Sequence, residues 1–287
     1  MVGLTTLIME DKKKKYILTD DTIQFDGHTL YRIKAVSQFG TVNCSDVGGY
    51  VESEENLSHE GECWVYSNAK VYGGAKVYDN AKICDNAVVE SGAQVFENAI
   101  LLENACVGNY AQVYGYARIS GNAVVESAKI YDYAIVDEKA YVSKSAQVFG
   151  CATISDCSRV TNNAKVSGYV CTYDNSVIAG NAVVDGGTIV KNYAIISDDA
   201  EVHNNLDYFS FPLWFDGELS ITWTRSNDKY IRDCGDIVTA QELLESEVKY
   251  KQEIEFILKF IEEFKTNMYQ DNGREQEIQV DRRGEGL

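Results

Sequence analysis

The sequence predicts an all-β solenoid with three hexapeptides to each coil, and three observations predict it. A small residue recurs every six positions, at Ala69, Ala75, Ala81, Ala87, Ala93, Ala99, Ala105, Ala111, Ala117 and Ala123, with an aliphatic two residues later (Val71, Val77, Ile83, Val89, Val95 and onward). Pairs of turn-forming residues separate these units, as at Gly73-Gly74, Asp79-Asn80, Asp85-Asn86, Gly121-Asn122 and Gly180-Asn181. Outward aromatics return at Tyr78, Phe96, Tyr114, Tyr131 and Phe149, spaced 18, 18, 17 and 18.

The small and aliphatic residues flank one residue of opposite facing, which is the alternation of a β-strand. Gly, Asn, Asp and Ser tolerate positive φ, so the chain corners between strands. Short strands joined by corners describe a coil, and each coil hydrogen-bonds to the next. Three hexapeptides per coil place the five aromatics in one ladder. Beside it runs a second ladder of Lys76, Gln94, Gln112, Lys129 and Gln147. In-register ladders of like residues stabilise stacked strands. The single spacing of 17 spans a residue missing between Ala123 and Ala128. Both flanking registers stay apolar inward, so the expectation is one shortened corner and an intact core. The repeat then runs to Val202, giving a repeat domain over residues 51–205.

A solenoid exposes strand edges at both ends and needs caps. Residues 1–50 alternate as short strands, with Asp26-Gly27 as a hairpin turn, and form an N-terminal β cap. Residues 206–238 hold the only proline, Pro212, and read as a β-rich C-terminal cap. Residues 239–270 read as one long amphipathic α-helix. Thr239 and Glu242 form a capping-box pattern, and Ile254, Ile257, Ile261, Phe264 and Met268 make an apolar stripe. That stripe suits either a coiled-coil seam or packing on the rod of its own chain. Residues 271–287 are polar and expected to be disordered.

The chain has 287 residues and a formal net charge of −18. So acidic a surface repels nucleic acid and anionic membrane, and suits a basic partner. The eight cysteines show no metal-ligand or C-x-x-C spacing. Cys63 falls where Ala recurs and Cys84 where Tyr72 and Tyr78 sit, so cysteine serves as a small hydrophobe, which suits a reducing cytoplasm.

The repeat resembles the hexapeptide repeat of left-handed parallel β-helices over roughly residues 51–202. That superfamily includes trimeric acyltransferases and γ-type carbonic anhydrases, and the left-handed winding is what the resemblance implies. The stretches Leu30–Gly40, Asp46–Tyr66 and Ile221–Lys229 also resemble uncharacterised β-helix proteins of gut bacteria and their phages, often labelled acyltransferases.

The acyltransferases of that superfamily generally use a histidine near a subunit interface and often a loop ejected from the coil. This chain has only His28, His59 and His203. His203, outward on the last clear repeat, is the best-placed candidate base, with no acid or nucleophile named beside it. No insertion leaves the repeats between Ala69 and Val202. The three histidines lie too far apart to hold zinc, so no metal site is expected. A corner column of Asp85, Glu103, Glu138, Asp156 and Asp174 is read as acidic turn formers or as a site for a basic partner. A further outward column, Val88, Val124, Tyr141, Val177 and Ile195, needs cover from the C-terminal helix or a second subunit. The expectation is a non-catalytic protein-binding rod without cofactor, an acidic inhibitor or decoy of bacterial or phage origin. Its binding surface is the ladder with Gln94, Gln112 and Gln147, and a homo-oligomer (dimer or trimer) is a further expectation. The rival is an acyltransferase with an acetyl-CoA donor, for which the later coils offer only Arg159, Lys165 and Lys191 near the phosphates.

Overall fold

The structure, a computed structural model, describes the backbone of residues 14–213, 219–232, 237–246 and 250–284, with side chains omitted at 212–213, 219, 232, 246 and 268–284. Between Trp64 and Val202 the chain forms a parallel β-solenoid whose three faces are three sheets. One face joins the N-terminal hairpin in an 11-stranded sheet, and the other two have eight strands each. We call them the hairpin face, the aromatic face, which carries Lys76–Val77 through Glu201–Val202, and the third face, from Trp64–Val65 to Ile189–Val190.

The expected register is the observed one. Val107 pairs with Val89 below and Val125 above, and all three are fully buried. The Ala slot is buried throughout, also where Cys63, Ser158, Val170, Ser176 or Thr188 fills it, so the space beside each corner takes small side chains. Corners follow from turn chemistry: Asp79, Asp85, Glu97, Glu103, Asp132, Glu138, Asp156 and Asp174 all have positive φ. The missing residue is absorbed at Ser127, a lone left-handed residue between the two-residue turns Asn109-Tyr110 and Lys144-Ser145. Its Oγ donates to Asn109 O at 2.7 Å and reseals the corner. Inserting one Gly after Ser127 recreates the Ser-Gly turn of Ser91-Gly92, where both residues are left-handed. We expect that insertion to change thermal stability by no more than about 1 kcal/mol. A larger loss would show that the short corner is required.

At the N-terminal end, strands Tyr16–Phe25 and His28–Ala35 form the predicted hairpin, with Asp26 at φ 49° and Gly27 at φ 80°. Side chains close the solenoid edge there: Tyr16 Oη donates to Leu57 O (2.7 Å) and Asn56 Nδ2 to Ala75 O (2.9 Å). At the other end, a four-stranded antiparallel sheet from Tyr208–Leu213 to Ile237–Val238 lies on the last coil. Asp207 accepts from the backbone of His203 and Asn204 and pairs with Arg225.

The single helix expected over 239–270 is two, α1 (Ala240–Ser246) and α2 (Lys251–Gly284). The capping box is present: Thr239 N donates to Glu242 Oε2 (2.7 Å), and Glu242 N to Thr239 Oγ1 (3.2 Å). Leu243 of α1 and Ile254 of α2 are both fully buried in one cluster. The apolar stripe of α2 is neither a coiled-coil seam nor bound to the solenoid. Ile254, Ile257 and Ile261 pack on Ile221, Trp223 and Tyr230 of the C-terminal sheet, and Phe264 meets Trp223 edge-on. Met268 lies outside the described side chains, and the backbone of 271–284, where disorder is expected from the sequence, continues α2 as helix.

Candidate interaction surfaces

The aromatic ladder forms as one stack. Tyr78, Phe96, Tyr114, Tyr131 and Phe149 lie with ring centroids 4.8, 4.9, 5.1 and 4.9 Å apart and interplanar angles of 5°, 9°, 3° and 1°. The register that fixes this is Gln94 on Gln112, Gln112 on Lys129 and Lys129 on Gln147 in the neighbouring column. Tyr78 Oη donates to Gln94 Oε1 at 3.1 Å, tying the two columns together. Because the rings stack face to face, their faces serve one another and only their edges meet solvent. Burial raises the pKa of the Tyr78, Tyr114 and Tyr131 phenols, with nearby Asp79 and Asp132 adding to it, so they stay neutral donors.

A second tyrosine column stands at the adjoining corner and escaped the sequence reading. Tyr116 and Tyr133 stack at 5.1 Å and 4°, yet they are 59% and 61% exposed, and Tyr169 is 74% exposed. The signal was present: Tyr116 and Tyr133 stand one coil apart across the short corner, and Tyr169 follows two coils later. Asp79, Glu97 and Asp132 rim the same corner. The aromatic face therefore offers half-buried ring edges, amides and lysines beside exposed phenols and carboxylates.

The acidic corner has a structural account. Asp85, Glu103, Glu138, Asp156 and Asp174 all take the left-handed conformation, and carboxylates of this column cap the coil above. Asp85 Oδ2 accepts from Glu103 N at 2.9 Å, Asp156 Oδ2 from Asp174 N at 3.0 Å and Asp174 Oδ2 from Asn192 N at 2.9 Å. Asp79, Glu97 and Asp132 do the same at the other acidic corner. Each bond satisfies a corner N–H and offsets part of the repulsion along the column.

The apolar residues form one column, as predicted, and it lies on the hairpin face, in register from Val88 through Val124, Tyr141 and Val177 to Ile195. Its ends are covered by this chain's own caps. Val88 packs on the hairpin cluster of Leu30, Tyr50 and Tyr72, and Ile195, 7% exposed, donates its N–H to Thr222 Oγ1. Between them Tyr141 donates to Glu126 Oε2 at 2.6 Å and lies under the Arg159 guanidinium.

His203 does have an acid beside it. Its Nδ1 lies 2.7 Å from Asp185 Oδ1, and this hydrogen bond raises the imidazole pKa. Asp185 sits one coil earlier, so the coil count names the pair. The ring is half-exposed, and a shallow cleft between the last coil and the cap is lined by Ile189, Lys191, Asn205, Tyr208 and Phe209 without either member of the pair. His28 is held by Glu52 at 2.8 Å in the hairpin, and His59 stacks on Tyr16 at 4.3 Å. Among the described residues no group of three or more metal-ligating side chains converges, and no helix is long and apolar enough to cross a membrane. A scan against protein-family models finds no match, and a search of curated proteins finds no similar protein.

Proposed function

We propose that this chain is a non-catalytic rod that binds another protein through its aromatic face. The observation that carries this reading is the exposed Tyr116, Tyr133 and Tyr169 beside the stacked ladder. Large exposed rings in register form a contiguous surface of the kind that dominates protein interfaces. Carboxylates at the rim and the net charge of −18 favour a basic partner. The reading includes an acidic inhibitor or decoy of bacterial or phage origin acting in a reducing cytoplasm. It also includes left-handed winding of the hexapeptide repeat and a homo-oligomer when the partner is a second copy.

The test replaces Phe96 and Tyr114 together by Ser, with Tyr116→Ser/Tyr133→Ser as a second pair. Inward residues are untouched, and the corner tyrosines of the second pair are 59% and 61% exposed, so each variant stays folded. The expected result is loss of the wild-type oligomeric state by light scattering, or of the protein retained by wild-type rod in a pull-down. Survival of both in both variants removes the aromatic face from consideration and leaves the acidic corner from Asp85 to Asp174.

The His203–Asp185 pair supports a second reading, an acyltransferase using an acyl-CoA donor, because an oriented imidazole is the base such chemistry needs. Under it, acetyl-CoA raises the melting temperature of wild type and His203→Ala loses turnover. No thermal shift with acetyl-CoA ends this reading.

A further inference from the structure

Cys63 is the first inward small residue of the solenoid, in the slot that Ala69 and Ala75 fill in the units that follow. Its thiol is fully buried, and one side chain from the N-terminal cap reaches it. Lys15, 4% exposed, places Nζ 3.2 Å from Cys63 Sγ. The same Nζ donates to Cys63 O at 2.9 Å, with Glu60 O at 3.3 Å and Gly61 O at 3.4 Å. Phe39 lies 5.0 Å beneath the amine, and Tyr16 closes the site with its ring on His59.

A buried ammonium with no counter-charge in contact among the described residues is costly, and so is a buried thiolate. Burial lowers the Lys15 pKa and raises that of Cys63, which moves the pair toward neutral amine and neutral thiol. Nζ donates to backbone carbonyls and to Sγ, and on losing a proton it keeps donors for two of the carbonyls and gains a lone pair within reach of the sulfur. A neutral amine nitrogen 3.2 Å from a sulfur is within reach of bond formation if the sulfur becomes an electrophile.

We propose that Lys15 and Cys63 form an oxidant-driven covalent cross-link that fastens the N-terminal cap to the first coil. The oxidant is hydrogen peroxide, and the backbone leading into Cys63, Glu60, Gly61 and Glu62, is an exposed turn. Sulfur attacks the peroxide, the O–O bond breaks, and the thiol becomes a sulfenic acid with release of one water. The Lys15 lone pair then attacks sulfur. The S–O bond breaks, the departing oxygen takes a proton from nitrogen and leaves as a second water, and an S–N bond remains. One peroxide is consumed, sulfur gives up two electrons, and the pair loses two hydrogens. The bond closes a segment 48 positions long, between the residue that anchors the cap and the start of the solenoid.

The test treats the full chain with hydrogen peroxide, digests it without reductant and maps it by mass spectrometry. The expected product is a joined peptide pair containing Lys15 and Cys63, lighter by two hydrogens than its parts. Dithiothreitol should restore both. Cys63→Ala, which restores the residue of the slot, should fold and give no joined pair; Lys15→Arg keeps the donors and should give none either. Oxidised wild type should melt roughly 5–10 °C above reduced wild type, by the loop-closure effect of a cross-link this long, while Cys63→Ala shows no such rise. Recovery of Cys63 as free thiol, or as sulfinic or sulfonic acid with Lys15 unmodified, overturns the proposal. A link from Lys15 to another cysteine overturns it too.

Discussion

Val107→Asp destabilises the rod by about 3–5 kcal/mol and lowers its melting temperature sharply. Val107 is fully buried midway along the solenoid, with Val89 and Val125 as its register partners. Its side chain points into a column where the residues above and below are also valine, so a carboxylate there meets neither water nor a cation. Protonation would spare the charge but leave a buried hydroxyl and carbonyl to be satisfied, so the cost persists at lower pH. The outward position one face on is the control. Gln112→Asp lies in the ladder between Gln94 and Lys129 and should change stability by about 0.5 kcal/mol or less. Thermal melts of the two variants decide the register. If Val107→Asp melts with wild type, the inward assignment fails along the whole rod, because each coil fixes the facing of the next.

That dependence of one coil on the next explains why so much of the fold is legible in the sequence. A six-residue period repeated over two dozen strands leaves one solution, and even the short corner at Ser127 follows from counting. The same count places the aromatic stack and, applied once more, finds Asp185 beside His203 and Tyr133 beside Tyr116. What the count does not reach is anything outside the repeat. Ile254, Ile257 and Ile261 make an apolar stripe whose spacing is the same whether it meets a second helix, the solenoid or a sheet. Only Trp223, Tyr230 and Ile221, brought together by strand pairing, show which partner it takes. Lys15 is likewise silent in the sequence: nothing local says that a lysine in a basic run enters the core 48 positions away. The acidic corner shows the opposite limit. Its residues are obvious, yet their carboxylates are partly engaged in capping the next coil, so prominence in the sequence overstated their freedom to bind.

Thr222→Val combined with Ser226→Ala opens the C-terminal end of the solenoid, with a loss of about 1–3 kcal/mol and a gain of end-to-end association. In the preceding coil the N–H groups of Cys171, Val177 and Val183 donate to the carbonyls of Thr188, Ala194 and Ala200. One coil later the equivalent donors are Ile189, Ile195 and Glu201, and no coil follows. Side chains take over, one on each face: Asn205 Oδ1 accepts from Ile189 N at 2.7 Å, Thr222 Oγ1 from Ile195 N at 2.8 Å and Ser226 Oγ from Glu201 N at 2.7 Å. Tyr208 Oη returns a donor to Ile189 O at 2.6 Å. The cap thus presents the hydrogen-bonding pattern of one further coil without its strands. Thr222 is fully buried, so valine, which replaces the hydroxyl by a methyl, leaves a buried N–H orphaned and carries most of the stability loss. Glu201 is exposed, so Ser226→Ala alone should cost little in stability and act by uncovering an edge amide to another molecule. Thermal unfolding reads the first effect, and light scattering against concentration reads the second. A double variant as stable and as monodisperse as wild type would mean that packing of the cap, and not its hydrogen bonds, ends the solenoid.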